Sequence, residues 1–198
     1  NLYKKKYIEN LVIGSGPGGS ITALELLKNK KDVMIVEKGN YIENFKLKHP
    51  GREFINMWEN GGISAALGNS QIKYASGSCF GGGSEINSGL YHSPDKIFIT
   101  KLKKKFGVKN LSIEQLNKNL KYLTRKISLN KKLNKNDQLS KYISNKIRNK
   151  NFKSEVIPRL VSKRFFKSSM TKTLLKEYLH LGGNVLLNTK IDKILKKN

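Results

Sequence analysis

The run Gly14-Ser15-Gly16-Pro17-Gly18-Gly19 constrains this chain more than any other stretch of its 198 residues. Before it, residues 7–13 (Tyr-Ile-Glu-Asn-Leu-Val-Ile) read as a strand with a buried end. After it, residues 20–29 place Ile21, Leu24 and Leu27 on one helical face. Residues 32–37 predict a second strand. Its Val33-Met34-Ile35-Val36 core is continuously apolar, as suits a parallel strand covered on both faces. Strand, tight turn, helix and strand make a βαβ unit, so the expected fold class is α/β with a Rossmann-like dinucleotide-binding domain.

Each glycine of the run has a physical task. Gly14 permits the sharp strand-to-helix turn, Gly16 lets backbone approach a diphosphate, and Gly19 lets the helix pack close to the strand. N–H groups freed at the helix N-terminus, with the positive end of its dipole, favour an anion. Glu37 lies 18 residues past Gly19, at the end of the second strand. There a carboxylate can accept from both hydroxyls of an adenosine ribose and repel a 2′-phosphate, which disfavours NADP. The plainer alternative is a simple turn beside a strand-end acid. The order strand, turn, helix, strand, acid favours the dinucleotide. It leaves FAD and NAD both open.

A second glycine cluster, residues 77–93, reads Gly-Ser-Cys-Phe-Gly-Gly-Gly-Ser-Glu-Ile-Asn-Ser-Gly-Leu-Tyr-His-Ser. This is poor strand or helix material and predicts a loop. Its backbone could contact a diphosphate or a flavin ring. Phe80, Ile86, Leu90 and Tyr91 would anchor it in a core, which argues against a free surface loop.

Charge is the other conspicuous property. The formal net charge is +25, with 39 Lys plus Arg against 14 Asp plus Glu. Residues 1–94 carry +3 and residues 95–198 carry +22. Arginine stands only at positions 52, 125, 148, 159 and 164, so 34 of the basic residues are lysine. Specific nucleic-acid sites favour the bidentate guanidinium, and lysines spaced among apolar residues at helical intervals describe a solvated face. No specific nucleic-acid partner is therefore expected. A basic protein that binds nucleic acid or an anionic surface stays open as an alternative.

Pro94 opens a lysine-rich helical regime, with helices expected near 95–106, 112–128 and 137–150. Ser112 and Gln115 have capping-box spacing. Ser168 or Ser169 is expected to cap a helix through Leu181, stopped by Gly182-Gly183, with strand and turn over 184–195. Residues 40–76 and 151–167 read as less regular. The single cysteine, Cys79, excludes a disulfide framework and any multi-cysteine metal site. No apolar run is long enough for a transmembrane segment. The N-terminus, Asn1 to Lys6, is not a signal peptide, so a cytoplasmic protein is expected. The first residue is not Met and the last residues are still patterned, which reads as a fragment of a longer protein.

Three stretches together resemble the glucose–methanol–choline (GMC) oxidoreductases, FAD enzymes. Residues 7–20 with Glu37-Lys38-Gly39 resemble the family's N-terminal FAD segment. Residues 81–90 resemble its Gly-Gly-x-Ser-x-x-Asn signature over the flavin, and Ser168 to Ile191 resembles its Ser-Met-x-x-Thr helix. The resemblance implies an FAD-dependent oxidoreductase that takes a hydride from an alcohol or sugar CH–OH group, with an electron acceptor the residues do not identify. By position, Gly14, Ser15, Gly16, Gly18 and Gly19 would face the diphosphate and Glu37 the ribose, with Pro17 and Lys38 in the same cofactor-binding segment. Gly82, Gly83, Ser84, Asn87 and Gly89 would line the flavin side, and Ile191 would meet the adenine through its backbone. Ile86 stands where some members carry a histidine that links FAD covalently, so non-covalent FAD is expected. The family's catalytic histidine, with its His or Asn partner, lies near the C-terminus of a much longer chain, so no catalytic residue is assigned here. The implied domains are 1–94 (first part of the FAD-binding domain), 95–167 (helical start of the substrate domain) and 168–198 (return to the FAD-binding domain).

Other residues invite roles without a supporting pattern. His92 is expected to bond backbone, and His180 to sit in a last helical turn, where a cation is favourable. Cys79 reads as a small buried residue, Glu85 as an acid held by backbone amides, and Met57 and Trp58 as packing. His49 has no partner pattern. Another FAD- or NAD-dependent dehydrogenase with the same fingerprint remains the alternative enzyme.

Overall fold

The computed structural model describes residues 7–42, 50–109, 111–131, 138–148, 156–164 and 166–196. His49, the N-terminal Asn1–Lys6 and both ends of the helix expected over 137–150 lie outside them. The chain divides into two compact units, Asn1–Ser88 with Ser169–Asn198, and Gly89–Ser168.

The first unit is built on a three-stranded parallel sheet. Strand β1 (Asn10–Ile13) pairs with β2 (Val33–Val36), which pairs with β7 (Asn184–Leu186). Helix α1 (Pro17–Lys28) links β1 to β2, and α7 (Leu174–His180) precedes β7. All four residues of β2 are buried, as its unbroken apolar sequence requires. Ala23 and Leu24 of α1 and Leu174 and Leu175 of α7 are buried with them. Burying each leucine contributes roughly 1.5–3 kcal/mol. β1 begins at Asn10 rather than residue 7, and Tyr7 is exposed. Leu11 and Ile13 are about half exposed, so this strand alternates where β2 does not.

Residues read as irregular carry more order than expected. They form α2 (Pro50–Met57), a turn at Glu59–Gly62, and an antiparallel pair, β3 (Ser64–Ala66) with β4 (Ile72–Tyr74). Four-residue α3 (Gly83–Ile86) is a helical turn inside the second glycine cluster, where a loop was expected. The helix expected after Ser168 is also divided. A 3-10 turn covers Met170–Lys172 and α7 starts at Leu174. The Ser169 side chain accepts no capping bond; its hydroxyl pairs with that of Thr171 at 3.2 Å. Beyond Leu186, residues 187–196 form no further strand.

Tyr178 ties α7 to the sheet. Its ring is fully buried, and its O–H lies 3.1 Å from the carbonyl of Val33 and 2.9 Å from that of Asn184. The ring fills the place of a side chain at residue 183: a Cβ on Gly183 would fall 2.4 Å from it. Burial pushes the phenol above its ordinary value of 10.0. A raised value means the neutral form is preferred in the fold. Its contribution is therefore complete below about pH 10 and lost as pH rises through the folded value. Tyr178→Phe is expected to cost about 1–2 kcal/mol at neutral pH. Urea midpoints of both proteins should draw together as the pH is raised above about 10.

The second unit contains α4 (Lys96–Phe106), α5 (Ile113–Lys126), α6 (Gln138–Arg148) and a short antiparallel pair, β5 (Leu129–Asn130) with β6 (Arg159–Leu160). Its caps follow the sequence. Asp95 accepts from the Phe98 N–H at 2.7 Å, and Ser112 accepts from Gln115 at 3.0 Å. The Gln115 side chain turns to Asn119 instead of closing the box. Lys103, Lys104 and Lys105 stand exposed in the last turn of α4, where its dipole favours cations.

Candidate functional site

The glycine turn sits between the end of β1 and the start of α1. Gly14 has φ +90°, open to glycine and strained for other residues, and its N–H donates to the Val36 carbonyl at 2.8 Å. Gly19 lies against the same turn: a Cβ there would fall 1.9 Å from the Gly14 carbonyl oxygen. Gly16 is the N-cap of α1 and offers no side-chain cap, with Pro17 following. The first-turn N–H groups of Gly18 and Gly19 have no intrahelical acceptor. Around Gly16 and Gly18 a Cβ would meet nothing within 4 Å. That open space lies at the helix end that favours an anion.

Glu37 reaches this turn from the end of β2. The residue is only 5% exposed. Oε2 accepts from the Ser15 N–H at 2.9 Å and from the Ser15 hydroxyl at 2.6 Å, and Oε1 accepts from the Gly39 N–H at 2.9 Å. Expected at a diphosphate, Ser15 instead turns both its donors inward and is fully buried. Expected to serve two ribose hydroxyls, Glu37 has already engaged three of its roughly four acceptor sites. Its main chain continues the sheet: its N–H donates to Leu186, and its carbonyl accepts from Thr189 at 3.0 Å. Half-buried Ile191 follows two residues later.

The second glycine cluster packs directly on the first. A Cβ on Gly82 would stand 2.9 Å from the Gly16 Cα, and one on Gly77 would stand 2.5 Å from the Gly82 carbonyl carbon. Main chain meets main chain here, and no other residue type leaves room. The Gly81 N–H donates to the Ser15 hydroxyl at 2.9 Å, across 66 residues of sequence. Ser84 is buried, donating to the Gly81 carbonyl at 2.8 Å and accepting from the Met170 N–H at 3.0 Å. Glu85, also buried, accepts at Oε1 from the Thr171 N–H and hydroxyl at 3.1 and 2.9 Å. These contacts join the Gly-Gly-x-Ser run to the Ser-Met-x-x-Thr turn. Gly83 is half-buried, and Asn87 is exposed at the C-cap of α3. Gly89 belongs to the second unit, with φ +67° and its carbonyl accepting from Leu160 at 2.7 Å.

Lys38 is exposed, and its ammonium pairs with the Glu59 carboxylate. That bond holds the Glu59 carboxyl below its ordinary value. Beside them lies a cleft of about 440 Å³ lined by Lys38, Gly39, Asn40, Arg52, Trp58 and Asn188, among others. It sits at the carboxyl end of β2, where open α/β sheets bind their ligands. Arg52 lies in no recognisable motif, and Asn188 lies within the Ser168-to-Ile191 stretch without having been singled out there. Cys79 is buried, with its Sγ 3.8 Å from the Gly82 carbonyl, and His92 is exposed. Among the described residues, no three His, Cys, Asp or Glu side chains gather where they could hold a metal ion, and no helix is long and apolar enough to cross a membrane.

Similarity to known proteins agrees with this architecture. An uncharacterized GMC-type oxidoreductase of Sinorhizobium fredii is 33% identical over 107 residues, covering 54% of this chain and 21% of that protein. A long-chain-alcohol oxidase of Arabidopsis thaliana is 38% identical over 80 residues, covering 39% of this chain and 10% of that protein. The chain thus matches about a fifth or less of the length of these relatives. The crystal structure of pyridoxine 4-oxidase from Mesorbium loti shares the fold, with a TM-score of 0.67 at 10% identity over 92% of this chain and 42% of that one. Residues 54–198 match the family model described as GMC oxidoreductase, which covers well over half of the sequence, and the chain belongs to the GMC oxidoreductase family.

Proposed function

We propose that this chain carries the FAD-binding part of an oxidoreductase that oxidises an alcohol or sugar CH–OH group. The supporting observation is the meeting of two glycine turns at one uncapped helix N-terminus, with Gly82 against Gly16 and the Glu37 carboxylate on Ser15. Bound there, the flavin would supply the hydride acceptor. Gly16, Gly18 and Gly19 would hold the diphosphate by main-chain N–H groups, in a turn shaped by Gly14, Ser15 and Pro17. Glu37 would take the ribose through Oε1, which has one protein donor against two on Oε2. Lys38 and the Ile191 main chain would flank the adenosine. Gly82, Gly83, Ser84 and Asn87 would form the flavin side, with Ser84 acting by holding the loop.

We read 1–94 and 168–198 as parts of the FAD-binding domain and 95–167 as the start of the substrate domain. The long-chain-alcohol oxidase among the relatives supports an alcohol as the donor class. With Ile86 beside Asn87, no histidine at that position tethers the flavin. Full-length protein should therefore purify yellow and release FAD on acid precipitation. Gly16→Asp sets a carboxylate against the diphosphate and should purify colourless. Wild-type protein that is colourless and takes up no added FAD would overturn the assignment.

A further inference from the structure

We infer that Ser15 is a positioning residue: its hydroxyl is a relay through which the Glu37 carboxylate sets the position of the second glycine loop. The chain of contacts is continuous and buried. The Ser15 O–H donates to Glu37 Oε2 at 2.6 Å, and the same oxygen accepts the Gly81 N–H at 2.9 Å. Ser15 is fully buried, and Glu37 and Gly81 are buried with it. A hydroxyl that donates to a carboxylate becomes a stronger acceptor, so the two bonds reinforce each other. The relay is anchored at its middle and at its loop end. The Ser15 carbonyl accepts from the Ser20 hydroxyl at 2.7 Å, and the Gly81 carbonyl accepts from that of Ser84 at 2.8 Å.

The consequence reaches across the site. Gly81 has φ +96°, and its Cα faces the Glu85 carboxyl so closely that a Cβ would fall 2.2 Å from Glu85 Oε1. Moving the Gly81 N–H therefore shifts a loop that also packs Gly82 on Gly16. In functional terms, and resting on the FAD reading above, the group offered to the ribose and the loop offered to the flavin are set by one side chain.

Two variants separate hydrogen bonding from volume. Ser15→Ala removes the hydroxyl, and Ser15→Cys fills its space with a weak donor and acceptor. In the apo full-length protein, the Gly81 amide should exchange with solvent at least ~10-fold faster in both variants and in Glu37→Gln, by loss of about one hydrogen bond. The Gly183 amide, which donates to the Tyr178 carbonyl away from this loop, should exchange unchanged as an internal control. In the flavin-loaded protein, both Ser15 variants should raise the FAD dissociation constant about 10-fold. They should also alter the visible circular dichroism of the flavin. Adding Glu37→Gln to Ser15→Ala should then change the Gly81 exchange rate of the apo protein by no more than about 3-fold, because the path is already cut.

Full recovery in Ser15→Cys, or an unchanged Gly81 exchange rate in Glu37→Gln, would overturn the relay. So would purely additive effects on Gly81 exchange in the double variant. A wild type that binds no FAD would defeat the cofactor assignment alone, since the amide-exchange arm needs no flavin.

Discussion

Gly19→Ala is expected to cost about 3 kcal/mol and to lower the thermal midpoint by roughly 10 °C. The added methyl carbon would stand 1.9 Å from the Gly14 carbonyl oxygen and 3.3 Å from Val12 Cγ1. The first of these neighbours is backbone and cannot rotate away. Relief requires α1 to slide off β1 or Gly14 to leave its left-handed conformation. Either movement displaces the Gly16 cap and breaks the 2.8 Å bond from Gly14 to Val36. Total stability for a domain is typically about 5–15 kcal/mol, so the loss is a large fraction. Thermal unfolding followed by circular dichroism checks it, with FAD retention read in parallel. Gly18→Ala is the control. Its Cβ would meet nothing within 4 Å, so the protein fold should keep its midpoint within a few degrees even if the cofactor is held less well. Equal midpoints for the two variants would remove the steric role assigned to Gly19.

Glu37→Ala is expected to cost about 3–5 kcal/mol, and Glu37→Gln about half as much. The carboxylate receives three buried donors, two from Ser15 and one from Gly39. Alanine leaves all three without their acceptor, in a place with little water to replace it. Glutamine keeps the volume and one acceptor oxygen but presents an N–H₂ to a donor at the other. The ranking wild type, Gln, Ala should appear in urea midpoints of the apo protein and again in FAD affinity. If stability is unchanged and only affinity falls, the carboxylate serves the ligand alone and the hydrogen bonds to Ser15 and Gly39 carry little. The structure shows the stabilising role, since the side chain closes the glycine turn just after β2; the ligand role belongs to the proposed function.

Much of this was legible from residues close in sequence. The βαβ unit, its glycine turn and the acid ending its second strand follow from local sterics and from periods of 2 and 3.6 residues. The caps at Asp95 and Ser112 and the stop at Gly182-Gly183 are equally local. Nothing local could announce that Ser15 faces Glu37 rather than solvent, because its partners lie 22 and 66 residues away. The helical turn at Gly83–Ile86 escaped for a related reason. Glycine and serine have weak helix propensity, and it is the bonds from Ser84 and Glu85 to Met170 and Thr171 that hold the turn. The pairing of Lys38 with Glu59 likewise needed a folded surface to bring the two charges together.

Sequence by itself determined which peptide groups could adopt the turn, because positive φ and missing Cβ atoms are properties of single residues. Tertiary structure alone decided what those groups touch. Strand β7 joins β2 across about 150 residues, and Gly82 meets Gly16 across 66. Such contacts depend on the closure of long loops around a shared core, and no periodicity within either segment encodes that closure.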